Sequence, residues 1–360
     1  MKKLSFLSFG LIIILTSAIS CYNNQNNNEQ KHDLAQEKSG KDYSCYMWYG
    51  KRFDWILDLY SKNPNQKEHV PLFIREIGEG KDTILVIHGG FGMEHSYMMD
   101  ALLPLADKVH FIFYDQRGSL RSPCPDSLIS FAAHVDDVER IRKSFQLRKV
   151  NIIAHSMGTL IAMSYLQKYP ETTGRLILLS SIAVKNDDAN EKKRWNDYKD
   201  EHFNKKIFPQ QIQYWIAALR QYGLDTAAYR QKRREGLIKE SDFMKLQLLW
   251  SASGKISNYQ NWDKDMTGSG FLFSNRAANA IWAQKDRPDS WNFTSSIKNH
   301  TSPIIFIKGS GDYLSPQLLK DQLPKSNNIK YIEIENAGHN IWIEQEKKFK
   351  EIMLKYIYDK

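Results

Sequence analysis

Short apolar segments rich in β-branched residues alternate with amphipathic helical segments, and this alternation limits what the 360-residue chain can fold into. It predicts an α/β fold with a mainly parallel sheet and helices on both faces, because parallel strands need crossovers that pack against the sheet. The candidate strands are residues 72–77, 83–88, 109–114, 150–154, 176–179, 303–308 and 330–335. Helical periodicity is clearest in residues 135–145, 158–168 and 347–358.

The alternation stops between residues 184 and 290. This interval is charged and helical in pattern, and with Trp291 at its exit it contains most of the nine tryptophans. We therefore expect a helical cap, residues 184–290, inserted between two parts of the sheet domain, residues 43–183 and 291–360. The aromatic side chains of the cap either form its own core or line a pocket.

Composition excludes several classes of protein. With 42% hydrophobic and 25% charged residues, the chain is neither wholly disordered nor collagen-like, and a mean hydropathy of -0.53 excludes a polytopic membrane protein. The net charge is +9, but acidic residues lie among the lysines and no nucleic-acid-binding motif is present. The positive charge therefore indicates a solvated surface, and we expect no nucleic-acid partner.

The N-terminus has the pattern of an export signal. Two lysines precede an apolar run that ends in small residues, so residues 1–20 are expected to be a signal peptide. Ala18 and Ser20 before Cys21 resemble a bacterial lipobox, which predicts lipidation of Cys21, a polar tether over residues 21–42, and a membrane-anchored protein facing the periplasm or cell exterior. Ordinary cleavage and an uncleaved anchor are the alternatives. The other two cysteines, Cys45 and Cys124, could pair in an exported chain.

Ser156 lies in a pattern that suits a nucleophile. A candidate strand ends at Ala154, a tight corner follows, and a helix begins near Gly158. A serine on such a strained strand-to-helix corner needs small residues two positions before and after it, so that strand and helix can pass closely. Ala154 and Gly158 meet that need.

A reactive serine also needs a base and an acid that orients the base. Asp312 directly follows the candidate strand at residues 303–308, and His339 directly follows the one at residues 330–335. The carboxyl ends of parallel strands share one edge of a sheet, where Ser156 also lies. The three residues are therefore candidates for a catalytic triad. Asp115 follows another candidate strand and could in principle be catalytic as well. His88 and His155 are expected to position loops or pack.

An oxyanion site requires two N–H donors that point at the developing charge. Met157, directly after the serine, is the first candidate. Gly90, in the glycine-rich loop after residues 83–88, is the second, with Phe91 as its substitute. Phosphate binding by this loop is disfavoured because no Gly-Lys-Ser/Thr follows it.

Taken together, residues 72–358 resemble the α/β-hydrolase fold, and within it the proline iminopeptidase-like serine hydrolases. The resemblance rests on His-Gly-Gly-Phe-Gly at residues 88–92 and Asp-Gln-Arg-Gly-Ser-Leu-Arg-Ser at residues 115–122. The family has Pro at the position of Phe91 and Gly at the position of Leu120, and its serine usually lies in Gly-Gly-Ser-Trp-Gly. Ala-His-Ser-Met-Gly at residues 154–158 is closer to esterases and lipases. The resemblance also implies that Asp115 helps to build the loop beside the site and has a structural role.

The resemblance implies a Ser-His-Asp hydrolase that forms an acyl-enzyme, needs no cofactor, and acts on a small ester or a short peptide. In the family, acidic cap residues hold the free amine of the substrate, but residues 275–279 carry none. An aminopeptidase and a carboxylesterase or lipase both remain open, and a non-catalytic binding module is a third alternative. Candidate amine-binding carboxylates are Glu235, Glu240, Asp242, Asp263 and Asp265. No metal site is expected, because no His-x-x-x-His or Cys-x-x-Cys spacing occurs.

Overall fold

The computed structural model describes residues 46–49, 52–58, 70–119, 121–201, 274–283 and 289–358, with isolated positions between residues 216 and 232. All lie in one compact unit, Cys45–Lys360. The expected signal peptide and tether, with Cys21, lie outside the described residues. Within the described part of the chain, no helix has the length and apolar character needed to cross a bilayer.

Nine strands form one sheet in the spatial order β1-β2-β3-β5-β4-β6-β7-β8-β9. Pairing is antiparallel from β1 to β5 and parallel from β5 to β9. The sheet is therefore mainly parallel, as predicted, and each expected strand is present with small shifts of its ends. The strands are β1 (Tyr46–Tyr49), β2 (Arg52–Leu57), β3 (Leu72–Ile77), β4 (Asp82–Ile87), β5 (Val109–Tyr114), β6 (Val150–His155), β7 (Thr173–Leu179), β8 (Ile304–Gly309) and β9 (Ile329–Ile334).

Strands β1 and β2 were not anticipated from the sequence. In β2, Asp54 forms a buried bidentate pair with Arg75 of β3, with N–O distances of 2.7 and 2.8 Å. The next residue, Trp55, donates its indole N–H to Glu76 at 2.8 Å. Polar residues are thus buried in pairs between β2 and β3. They interrupt the apolar pattern by which a strand is recognised in sequence.

Helices cover both faces of the sheet. On one face, α1, α8 and α9 pack on a cluster that includes Ile84 and Val86 of β4. On the other, α3 contacts β4, β6 and β7 and packs against α2. Among the described residues, the α-helices are α1 (Met99–Leu102), α2 (Phe131–Ser144), α3 (Gly158–Lys168), α4 (Ala189–Lys199), α5 (Asn275–Ala283), α6 (Thr294–Asn299), α7 (Pro316–Gln322), α8 (Ile341–Glu344) and α9 (Glu346–Tyr358).

The described residues of the expected cap form two helices, α4 and α5. Before α5, the Ser274 N–H donates to the carbonyl of Gly92 at 2.7 Å. This bond joins the beginning of α5 to the glycine-rich loop after β4. The cap boundaries themselves stay a prediction. Cys124 is a buried free thiol, and Cys45 lies outside the described residues.

Candidate active site

Ser156 occupies the corner between β6 and α3 in a left-handed backbone conformation, with φ of 52°. Residues other than glycine rarely adopt this conformation, because Cβ crowds the backbone. Two backbone bonds hold the corner: Ser156 N–H donates to the carbonyl of Leu179 at 3.0 Å, and its own carbonyl accepts from Thr159 N–H at 2.9 Å. The serine is therefore fixed in the strained geometry that its sequence context predicts.

Close approach of the backbone around Ser156 explains the neighbouring small residues. A Cβ at Gly158 would lie 2.5 Å from the carbonyl oxygen of His88. A Cβ at Gly89 would lie 2.8 Å from the Cβ of Ser156. Both distances are shorter than carbon atoms tolerate, so glycine at these positions brings the loop after β4 against the serine corner.

Asp312 and His339 meet across the loops that follow β8 and β9. His339 Nδ1 lies 2.9 Å from Asp312 Oδ1, and both side chains are buried. The loops are joined by a bond from Gly311 N–H to the carbonyl of Ala337 at 2.9 Å. Burial alone would raise the pKa of Asp312, but the Lys308 ammonium and His339 hold it below its ordinary value. Asp312 is therefore ionised and oriented toward the imidazole.

A chain of hydrogen bonds joins the histidine loop to the serine corner and the glycine-rich loop. Gly89 N–H donates to the Tyr97 hydroxyl at 2.6 Å, and that hydroxyl lies 2.8 Å from His155 Nδ1. His155 Nε2 lies 3.2 Å from the carbonyl of His339. A carbonyl only accepts, so Nε2 carries the hydrogen and Nδ1 accepts from Tyr97. Burial lowers the pKa of His155 well below its usual value, which keeps the ring in this neutral form.

The two candidate oxyanion donors lie beside this chain. Gly90 has a φ of 60°, and its carbonyl accepts from Met93 N–H at 3.1 Å. Met157 immediately precedes α3, whose N-terminus carries a partial positive charge. Among the described residues, nothing accepts a hydrogen bond from the N–H of Gly90 or Met157. Both N–H groups therefore remain candidates to bind a ligand oxygen.

An aromatic cluster surrounds Phe91, which replaces the Pro of the family pattern. Its ring packs on Phe131 and His134 of α2 and edge-to-face on Trp282 of α5, with centroid distances of 6.2, 5.6 and 5.8 Å. Neither ring nitrogen of His134 has a hydrogen-bond partner among the described residues. The cluster fixes the glycine-rich loop between α2 and the cap helix α5.

Asp115 belongs to a buried polar group next to the site. Its carboxylate bonds His95 Nδ1 at 2.7 Å and Arg121 Nε at 2.6 Å, while Arg121 also pairs with Glu94. Glu94, His95 and Asp115 are close enough to form a group of potential metal ligands. Since Arg121 contacts both carboxylates, a guanidinium already supplies the positive charge there. The arrangement gives Asp115 a structural role.

Sequence reasoning missed three side chains that hold this site. Tyr97 joins two loops, the Ser180 hydroxyl donates to the carbonyl of His339 at 2.6 Å, and Lys308 lies 2.9 Å from Asp312. Only Lys308 leaves a trace in the sequence, as a lysine in an otherwise apolar strand. The candidate carboxylates between residues 235 and 265 lie outside the described residues.

The strain at Ser156 can be measured as stability. We expect Ser156→Gly to raise the free energy of unfolding above that of Ser156→Ala by about 1 kcal/mol, because glycine adopts a positive φ without steric cost. The alanine variant is the matched control, since it loses the same hydroxyl but keeps Cβ. Urea denaturation of both variants makes the comparison. Equal stability would show that the corner is unstrained.

Buried His134 should make folding sensitive to acid. Burial lowers its pKa from 6.5 to about 3, so below pH 6.5 the unfolded chain binds a proton that the native protein does not. Stability is therefore lost as the pH falls from 6.5 toward 3, by about 2 kcal/mol at pH 5. In His134→Phe, urea denaturation should show a loss between pH 7 and pH 5 that is smaller by this amount. The same loss of stability in both proteins would show that His134 does not have a lowered pKa in the native protein.

Comparison with known proteins agrees with the fold. A family model described as the alpha/beta hydrolase fold matches residues 82–346. A proline iminopeptidase from Flavobacterium johnsoniae is 23% identical over 295 residues, which cover 80% of this chain and 94% of the relative. One from Lactobacillus delbrueckii subsp. bulgaricus is 24% identical over 297 residues, which cover 78% of this chain and 92% of the relative.

Solved structures of similar shape include enzymes that act on esters and lactones. An esterase from Exiguobacterium antarcticum matches with a TM-score of 0.52 and 15% identity, covering 81% of this chain and 97% of its own. Est816, an N-acyl homoserine lactone degrading enzyme, matches with a TM-score of 0.52 and 19% identity, covering 81% and 98%. At such identity the likeness shows the fold alone. The family match spans most of the sequence and includes the corner of Ser156 and the loops of Asp312 and His339, so this chain belongs to the α/β-hydrolase fold family and is a hydrolase.

Proposed function

We propose that this chain is an exported serine hydrolase in which Ser156, His339 and Asp312 act as nucleophile, base and orienting acid. The observation that carries the proposal is the buried hydrogen bond of 2.9 Å between His339 and Asp312. The carbonyl of His339 also accepts a hydrogen bond from the ring of His155, the residue before the strained serine. The ring centroids of His155 and His339 lie 4.7 Å apart, which supports the proposal that base and nucleophile act at the same end of the sheet.

The proposed reaction uses groups of this chain alone. Ser156 Oγ attacks the carbonyl carbon of an ester or amide while His339 takes its proton. N–H groups of Gly90 and Met157 stabilise the negative oxygen of the tetrahedral intermediate, and each such donor contributes about 3 kcal/mol in comparable sites. His339 then protonates the leaving group. A water molecule then attacks the acyl carbon while His339 takes its proton. The bond from that carbon to Ser156 Oγ breaks, His339 returns the proton to Oγ, and the carboxylic acid leaves.

Two substrate classes follow from different observations. Relatives named proline iminopeptidase align over more than nine-tenths of their length, which supports cleavage of an amino-terminal residue from a short peptide. The cap helix α5 favours the second class, an ester. It lies against the glycine-rich loop and carries no carboxylate that could bind an amine, and its Trp282 is exposed beside Phe91.

Two parallel panels separate these classes. Purified protein that starts at Tyr22 is assayed on nitrophenyl esters of increasing acyl length and on anilides of proline and alanine, with Ser156→Ala as the blank. Anilide turnover that disappears when the amine is acetylated would establish an aminopeptidase. Ester turnover without anilide turnover would establish a carboxylesterase. A wild-type protein that equals the blank on both panels, and that does not react with a fluorophosphonate, would refute the serine mechanism.

We also propose that the chain is anchored to a membrane by lipid on Cys21. The support is the apolar run before Ala18 and Ser20, and the polar residues that follow. We expect Cys21→Ser to abolish incorporation of labelled palmitate and to reduce the share of protein in the membrane fraction of the expressing bacterium. Wild-type protein that carries no label would argue for ordinary cleavage or an uncleaved anchor.

A further inference from the structure

Lys308 is a buried cation next to the proposed triad. It lies near the end of β8, in which all six residues are buried. Its side chain has no exposed surface, and neither has that of Asp312. Lysine is almost never fully buried without a partner, because removing an ammonium from water is costly. Its position beside the proposed catalytic carboxylate therefore requires an explanation.

The Asp312 carboxylate contacts two groups, the Lys308 ammonium at one oxygen and the His339 imidazole at the other. Nζ lies 2.9 Å from Asp312 Oδ2 and donates to the carbonyl of Ser181 at 2.8 Å. The other oxygen, Oδ1, bonds His339 Nδ1 at 2.9 Å and accepts from Leu314 N–H at 2.9 Å. Oδ2 has no hydrogen bond of normal geometry to any described residue, so Lys308 acts on it by charge.

We propose that Lys308 is a positioning residue that shares the Asp312 carboxylate with His339. This inference rests on the proposed serine mechanism. The ammonium keeps Asp312 ionised in a buried site and holds its second oxygen, so that the first faces the imidazole. It also offsets part of the carboxylate charge. Protonated His339 is then stabilised less than it would be by an unshared carboxylate.

Few other charges face this pair. Among the described groups, Glu333 on the neighbouring strand β9 interacts with Lys308 by charge, and His155 faces His339 in its neutral form. The Tyr313 ring packs on His339 at 4.4 Å between centroids. Burial lowers the pKa of Lys308 and Asp312 opposes this, whereas Lys308 lowers the pKa of Asp312. An ion pair is the state in which each partner offsets the burial of the other.

The inference predicts how the reactivity of Ser156 depends on pH. With Lys308 replaced by a neutral residue, protonated His339 and the Leu314 N–H still favour the ionised form of Asp312. The whole Asp312 charge then acts on protonated His339, and the base stays protonated to a higher pH. Reactivity on the acid side should then fall at a pH about one unit higher than in the wild type. At a given pH on the acid side, Ser156 of such a variant should therefore react about ten times more slowly than Ser156 of the wild type.

The test measures labelling of the full exported chain by a fluorophosphonate between pH 5 and pH 9. In this reaction a bond forms between Ser156 Oγ and phosphorus, the phosphorus–fluorine bond breaks, fluoride leaves, and His339 takes the serine proton. Labelling needs no knowledge of the substrate. Lys308→Met removes the charge at similar volume, Lys308→Gln keeps a donor for Ser181, and Lys308→Arg keeps the charge. Lys330→Met, at an exposed position of β9, is the matched control for a general loss of one positive charge.

The expected result is a shifted acid limb in Lys308→Met and Lys308→Gln, and the wild-type limb in Lys308→Arg and Lys330→Met. Slower labelling with an unchanged pH profile in the neutral variants would overturn the inference, because it would reduce Lys308 to a packing role. Failure of both neutral variants to fold, checked by urea denaturation, would also count against it. If the wild type labels no faster than Ser156→Ala, the serine mechanism itself fails, which is a distinguishable outcome.

Discussion

The left-handed backbone at Ser156 is the constraint on which the rest of the site depends. A residue with Cβ keeps that conformation only when its surroundings leave it no alternative. Here β6 and α3 hold the corner from both sides, and the carbonyl groups of His88 and Leu179 come within contact distance of it. A Cβ at Gly158 would collide with backbone, and a Cβ at Gly89 would collide with Ser156 itself, so only glycine fits at these two positions. The packing that strains the serine thus also places the glycine-rich loop beside it.

Buried hydrogen bonds connect the strained serine corner to the loops that form the rest of the site. Tyr97 and His155 connect the loop after β4 with the loop after β9, and the Ser180 hydroxyl bonds the carbonyl of His339 a second time. In a low-dielectric interior such bonds keep their geometry, because breaking one leaves a buried polar group without a partner. The imidazole of His339 is therefore held through its backbone as well as through Asp312.

The buried carboxylates Asp115 and Asp312 are paired with positive and polar groups in different ways. Around Asp115, one guanidinium pairs with two carboxylates, and the group is structural. Around Asp312, one carboxylate is shared between an ammonium and an imidazole. In the proposed mechanism, proton transfer at the imidazole would change that balance of charge. The relatives and structural neighbours include enzymes for amides and esters. In the proposed mechanism the residues next to the serine would serve either substrate, so the difference between these activities is expected to lie in the cap.

The sequence by itself determined the parallel strands, the helices between them and the order of Ser156, Asp312 and His339. Each of these follows from local patterns: β-branched runs, helical periodicity, and small residues around a corner. Tertiary structure alone decided β2, since its buried Asp54 and Trp55 look polar or isolated until Arg75 and Glu76 of β3 pair with them. It also decided β1, which pairs with β2. It also decided the partners of Tyr97, His155 and Lys308. Contacts between residues far apart in the chain depend on how the strands are ordered in space, and no local pattern records that order.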